Sequence, residues 1–147
     1  MDIRRLIVVL GLAAFTSLAA QQAPPDLQAQ AEAAQGKKRA ELFMQLAEER
    51  LRQASRLFGE GKTEEAHDAV KKAVAASEQA GDAARKSRKR LKQTEISVRL
   101  LARRITNLAA TLAFEDREAI KPSVLKLEEI RRQLLDEMFA KKKKVEP

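Results

Sequence analysis

The residues with the clearest chemical potential are cations. Between positions 85 and 104 stand Arg85, Lys86, Arg88, Lys89, Arg90, Lys92, Arg99, Arg103 and Arg104, against a single acid, Glu95. Guanidinium and ammonium groups with so little counter-charge are what a surface for polyanions needs, since each one near an anionic polymer or headgroup adds attraction. The bland counterpart is a solvated helix face that keeps the chain soluble. No aromatic residue lies among these cations, so nucleic-acid bases would find no stacking platform here. A second run, Lys141 to Lys144, reads as a solubilising tail or as a weak tether to an anionic membrane surface.

Little else is equipped for chemistry. His67 is the one histidine, and Glu64 precedes it by three residues, a spacing that puts both on one helical face. One Glu-x-x-His pair is half of what a di-metal helical bundle uses, and no second copy follows, so His67 reads as a surface histidine. Gly59-Glu60-Gly61-Lys62-Thr63 lacks the spacing of a phosphate-binding loop and follows no strand; a turn with a helix cap explains all five residues. The absence of cysteine excludes disulfides, thiolate metal sites, a cysteine nucleophile and a lipidated cysteine. Serine and threonine nucleophiles need a base and an orienting partner, which one histidine and no glycine-rich elbow cannot supply. No catalytic residue, cofactor or metal site is expected.

These residues must be carried by helices. In 147 residues there is room for one domain or two very small ones. The hydrophobic share is rich in alanine, aromatics are 3%, and the chain has five glycines and four prolines. Abundant Ala, Leu, Glu, Lys and Arg with few breakers predict an all-α protein with a thin core made of seams between helices.

The amino terminus has the pattern of an address. Arg4 and Arg5 precede an uncharged apolar run from Leu6 to about Leu18, and small residues surround Ala19 and Ala20. Residues 1–20 therefore read as a secretory signal peptide cleaved after Ala19 or Ala20, which predicts a periplasmic or secreted protein. The run is short for a membrane span, which needs roughly 20 residues. Residues 21–36, with Pro24 and Pro25, read as a polar linker.

Within residues 37–140, periodicity predicts about three long helices. The first covers about 37–58, with Phe43, Leu46, Ala47, Leu51, Ala54, Leu57 and Phe58 on one face, and Gly59-Glu60-Gly61 ending it. Thr63 reads as the cap of a second helix that runs on to about residue 114, either straight through or bent at Gly81. Its first half lines up Ala66, Ala69, Val70, Ala73, Ser77 and Ala80; its second half carries a coiled-coil-type seam of Val98, Leu101, Ile105, Leu108 and Leu112. Glu115-Asp116-Arg117 reads as a turn, and Pro122 suits the start of a third helix over about 119–139, with Val124, Leu127, Ile130, Leu134 and Met138 on its apolar face. The expected architecture is elongated antiparallel hairpins sharing the long middle helix, or a compact four-helix bundle if Gly81 breaks it. Residues 141–147 form a basic tail.

The pattern Ala54-x-x-Leu57-Phe58-x-x-Gly61-Lys62-x-x-x-Ala66-x-x-x-Val70-x-x-Ala73 resembles one tetratricopeptide-like helical hairpin. The resemblance covers about a fifth of the chain. Arg50 stands where the family has a large apolar residue and Glu78 where it has a closing proline, and no second copy follows. It implies a close-packed helical pair, not a repeat array, which needs at least about three units.

Together these readings point to an exported, non-catalytic helical adaptor or scaffold that binds another envelope protein or itself. The rivals are a basic module for anionic envelope lipids or cell-wall polymers, and a periplasmic holdase-type chaperone. Nucleic acid is an unexpected partner for an exported chain.

Overall fold

The computed structural model describes residues 26–143, and side chains for residues 26–140. The described chain is all-helical, with α1 at Leu27–Ala33, α2 at Gly36–Gly59, α3 at Thr63–Ser87, α4 at Leu91–Ala110 and α5 at Phe114–Lys143. The expected signal peptide lies outside the described residues. No helix among them is long and apolar enough to cross a membrane.

Helices α2 and α3 lie antiparallel. Gly61, at φ +75°, makes the turn between them, and the start of α2 returns to the end of α3, where a Cβ on Gly36 would stand 3.8 Å from that of Ser87. Helices α4 and α5 form a second pair, joined through residues 111–113. The two pairs pack side by side. Arg90 of α4's N-cap reaches Glu41 of α2, Arg88 reaches Glu137 of α5, and His67 of α3 reaches Asp116 of α5. The molecule is thus a four-helix bundle with α1 laid on its flank. Its least exposed large side chains are Val70, Val98, Leu101, Ile105, Ile120, Leu127 and Leu134, each below 2%. Each contributes about 1.5–3 kcal/mol by leaving water.

The single middle helix over 63–114 is corrected. The chain breaks at Arg88-Lys89-Arg90, not at Gly81, and again at 111–113. Gly81 lies inside α3, buried, where a Cβ would come within 3.0 Å of Ile130 Cγ2 on α5. Its role is to let two helices approach, not to bend one. Helix α3 is central and buries two faces, adding Val74, Ala76, Ala83 and Ala84 to the expected stripe. Among so many alanines, hydrophobicity alone does not separate a buried face from an exposed one.

Three smaller corrections follow from local bonding. Residues 27–33 of the expected linker form α1. Asp26 accepts a bond from the Gln28 N–H, Ala31 is fully buried, and Arg39 donates to the carbonyls of Ala31 and Glu32 at 3.3 and 2.8 Å. Thr63 is the first residue of α3 rather than its cap, which is Lys62. Helix α5 starts at Phe114, so Glu115 and Asp116 are its acidic first turn instead of a turn between helices, Pro122 lies inside it, and it continues through Lys143 into the expected tail.

Candidate functional site: a basic pole and an apolar groove

The fold splits the nine cations of residues 85–104 into two groups. Arg85, Lys86, Arg88, Lys89, Arg90 and Lys92 gather at one end of the bundle, where α3 stops and α4 begins. Arg99, Arg103 and Arg104 lie on the exposed face of α4. With a rise of about 1.5 Å per residue, Arg103 stands about 18 Å along the axis from Leu91.

Four of the nine are held by acids. Arg85 pairs with Asp82, Arg88 with Glu137 at 3.2 Å, Arg90 with Glu41 at 3.4 Å and Arg99 with Glu95 at 3.6 Å. Lys86, Lys89, Lys92, Arg103 and Arg104 are exposed and form no ion pair among the described residues. The end of the bundle then adds cations that sequence order hides. Lys37 and Lys38, in the first turn of α2, are exposed and without an ion pair, and α2 starts beside the end of α3. The exposed acids nearby that lack an ion pair are Glu32 and Asp136. Separation of some fifty residues along the chain is why sequence reading missed the two lysines.

The connector itself is strained. Arg88 and Arg90 both have left-handed backbone, φ 56° and 65°. That region costs a residue other than glycine about 1–3 kcal/mol. Their ion pairs are substantially exposed, and such pairs contribute about 0–1 kcal/mol each. The pairs therefore do not offset the strain. Ser87 supports the turn: its hydroxyl donates to the Ala83 carbonyl at 2.7 Å and accepts from the Lys89 N–H at 3.3 Å.

Glu95, the one acid of the segment, is buried. It accepts from Arg131 Nε at 2.7 Å and also faces Arg99, tying α4 to α5. The hydrogen bond to Glu95, followed by that to Glu128, raises the pKa of Arg131 above its usual value.

At the other end, α4 and α5 leave an apolar groove of about 420 Å³. Ala109 and Ala110 give it a low wall on α4, and Ile120, Val124 and Leu125 form the α5 side. Leu125 is 69% exposed, and Phe114, at the start of α5, is 70% exposed. The rim is basic. Arg117 and Lys121 line it, and Arg103 is one turn before Thr106 on the same face of α4. Lys121 is engaged by Glu118 at 2.6 Å, whereas Arg117 is bonded to the Leu112 carbonyl and Arg103 has no ion pair.

His67 is not a surface histidine. It is largely buried, with Nε2 at 2.8 Å from Asp116 Oδ1 and its ring edge-on to Phe58 at 5.1 Å. It fastens the α2–α3 pair to α5. Among the described residues, no group of three or more histidine, cysteine, aspartate or glutamate side chains converges as a metal site would require.

No protein-family profile, curated protein or solved structure matches the chain.

Proposed function

We propose that this protein is an exported, non-catalytic helical adaptor whose α4–α5 groove holds an acidic amphipathic helix of another envelope protein. The observation that carries the reading is an apolar groove of about 420 Å³ lined by the exposed Leu125, with the exposed Phe114 one turn before Arg117 on the same helix, on a bundle whose other large apolar side chains are mostly buried. Apolar side chains left in water beside a groove are the mark of an interaction surface. A helix presenting apolar residues at three- and four-residue spacing fits such a trough. Arg117 and Lys121 on the rim, with Arg103 one turn before Thr106 on α4, favour acidic flanks and speed their arrival. Export rests on the Arg4-Arg5, apolar-run and Ala19-Ala20 pattern.

The test uses two designed amphipathic helices with the same leucine stripe, one with glutamate flanks and one with lysine flanks. The acidic helix is expected to bind by calorimetry and the basic one not. Leu125→Asp should abolish binding while leaving the circular dichroism spectrum intact. Equal binding of both helices would remove the charge argument. Sedimentation showing a dimer that Leu125→Asp dissociates would replace the partner helix with a second copy of this chain.

A further inference from the structure

We propose that the basic end of the bundle is a docking surface for an anionic lipid bilayer, and that the molecule stands on it end-on. The proposal is independent of the α4–α5 groove. It rests on the convergence of Lys37 and Lys38 from the start of α2, Lys86 from the end of α3, Lys89 from the connector and Lys92 from the start of α4. All five are exposed and have no ion pair among the described residues, so their charge is available to something outside the molecule. Four segments spread over more than fifty residues deliver one sign of charge to one blunt end.

A further observation points to a bilayer rather than to a soluble polyanion. The end of α5 lies here too, since Glu137 pairs with Arg88, and half a turn later Phe139 is 55% exposed. A phenyl ring at the same end of the bundle as these lysines can enter the headgroup boundary, where ammonium groups meet lipid phosphates and an apolar ring leaves water. A wall polymer offers that ring no apolar layer, and one isolated ring is no platform for successive bases. The connector bears on the charge of this end rather than on the kind of anion. Arginine persists at positions 88 and 90 despite left-handed backbone that glycine would adopt without strain, and the ion pairs those arginines make are too exposed to explain it. Strained backbone of this kind clusters at sites of function.

End-on docking has a geometric consequence. Helix α4 has 20 residues, which at about 1.5 Å each places its far end about 30 Å from the surface. The α4–α5 groove would then face away from the bilayer, open to a partner. Arg103 and Arg104, well along α4, would not reach the headgroups.

The experiment is vesicle co-sedimentation of the full chain at low and high salt. The vesicles are phosphatidylcholine alone, or phosphatidylcholine and phosphatidylglycerol in equal parts. Stronger binding to the mixed vesicles, lost at high salt, is expected. Each lysine near an anionic surface contributes about a fivefold factor, so Lys86→Gln, Lys89→Gln and Lys92→Gln together should weaken binding roughly a hundredfold. Arg103→Gln with Arg104→Gln should change it little. All these side chains are exposed, and circular dichroism checks that the variants stay folded. Arg4, Arg5 and the N-terminal apolar run are common to every variant, so they cancel in the comparison between variants, which is the one that assigns binding to the basic end. Equal binding to both vesicle types would overturn the proposal. So would an equal loss in the Arg103 and Arg104 variant, which would mean side-on contact. Tight, lysine-dependent binding of soluble polyphosphate without preference for the mixed vesicles would overturn it in favour of a free polyanion.

Discussion

Arg88 and Arg90 hold backbone conformations that favour glycine, on either side of Lys89. Replacing both by glycine should stabilise the fold by about 1 kcal/mol, the relief of strain exceeding the added chain entropy and the lost surface pairs. Urea unfolding measures this, and the same double variant should bind anionic vesicles less well. Stability and binding moving in opposite directions is the signature of side chains kept for contact with a partner. Glu95 belongs to the opposite category. It is buried, with Arg131 and Arg99 on it, so Glu95→Gln leaves two guanidinium groups without their carboxylate. A loss of about 1–3 kcal/mol is expected, since a hydrogen bond to a charged group carries that much when one side is removed. Vesicle binding at a temperature where the variant is folded should be unchanged.

At the scale of elements, Gly81 and Pro122 each contradict local helix preference, for different reasons. Alanine at Gly81 would gain about 1 kcal/mol of helix propensity. Its methyl would meet Ile130 Cγ2 at 3.0 Å, and a β-branched side chain has little freedom to move aside. Gly81→Ala should therefore destabilise the bundle by about 1 kcal/mol despite the propensity gain. Ile130→Leu, which removes the methyl at that position, should couple with it non-additively in a double-mutant cycle. Pro122 stands in the ninth position of α5, on its exposed side, and cannot donate to the Glu118 carbonyl. No packing argument favours it, so Pro122→Ala should stabilise α5 by about 1–3 kcal/mol, read by thermal unfolding. Helix α1 has seven residues, too few to persist alone, and depends on the burial of Ala31 and on Arg39 at its carbonyl end.

For the molecule as a whole, the cluster of lysines without ion pairs and the apolar groove lie toward opposite ends of the bundle axis. The end that holds the α3–α4 connector is basic. The opposite end mixes signs, with Glu64, Glu65 and Glu115 exposed and unpaired among the described residues beside Arg117. The groove lies toward this second end. A surface-bound adaptor needs such a separation, because one contact must not occlude the other. If both readings hold, helix binding in the groove should persist on vesicle-bound protein. Its salt dependence should be shallower than that of vesicle binding, since apolar burial is screened little.

The sequence by itself determined the all-helical class, through its alanine, leucine and charged-residue content and the scarcity of breakers. It also placed Val98, Leu101, Ile105, Leu127, Ile130 and Leu134 in the core, where all are buried, whereas Leu108, Leu112, Val124 and Met138 of the same two stripes are only half-buried and the buried Ile120 was not expected. Periodicity reports a face, and packing decides how far along each helix that face is covered. The path of the chain was not legible. Two arginines in left-handed conformation turn it at 88–90, whereas the glycine that looked like a bend is a contact point, because conformational freedom and small volume are both properties of glycine and a sequence does not say which is in use. The basic segment was visible, but its division was not. Only tertiary structure decided which of its cations meet acids from α2 and α5, which remain free, and that Lys37 and Lys38 join them, because proximity across a bundle is set by packing and not by order along the chain.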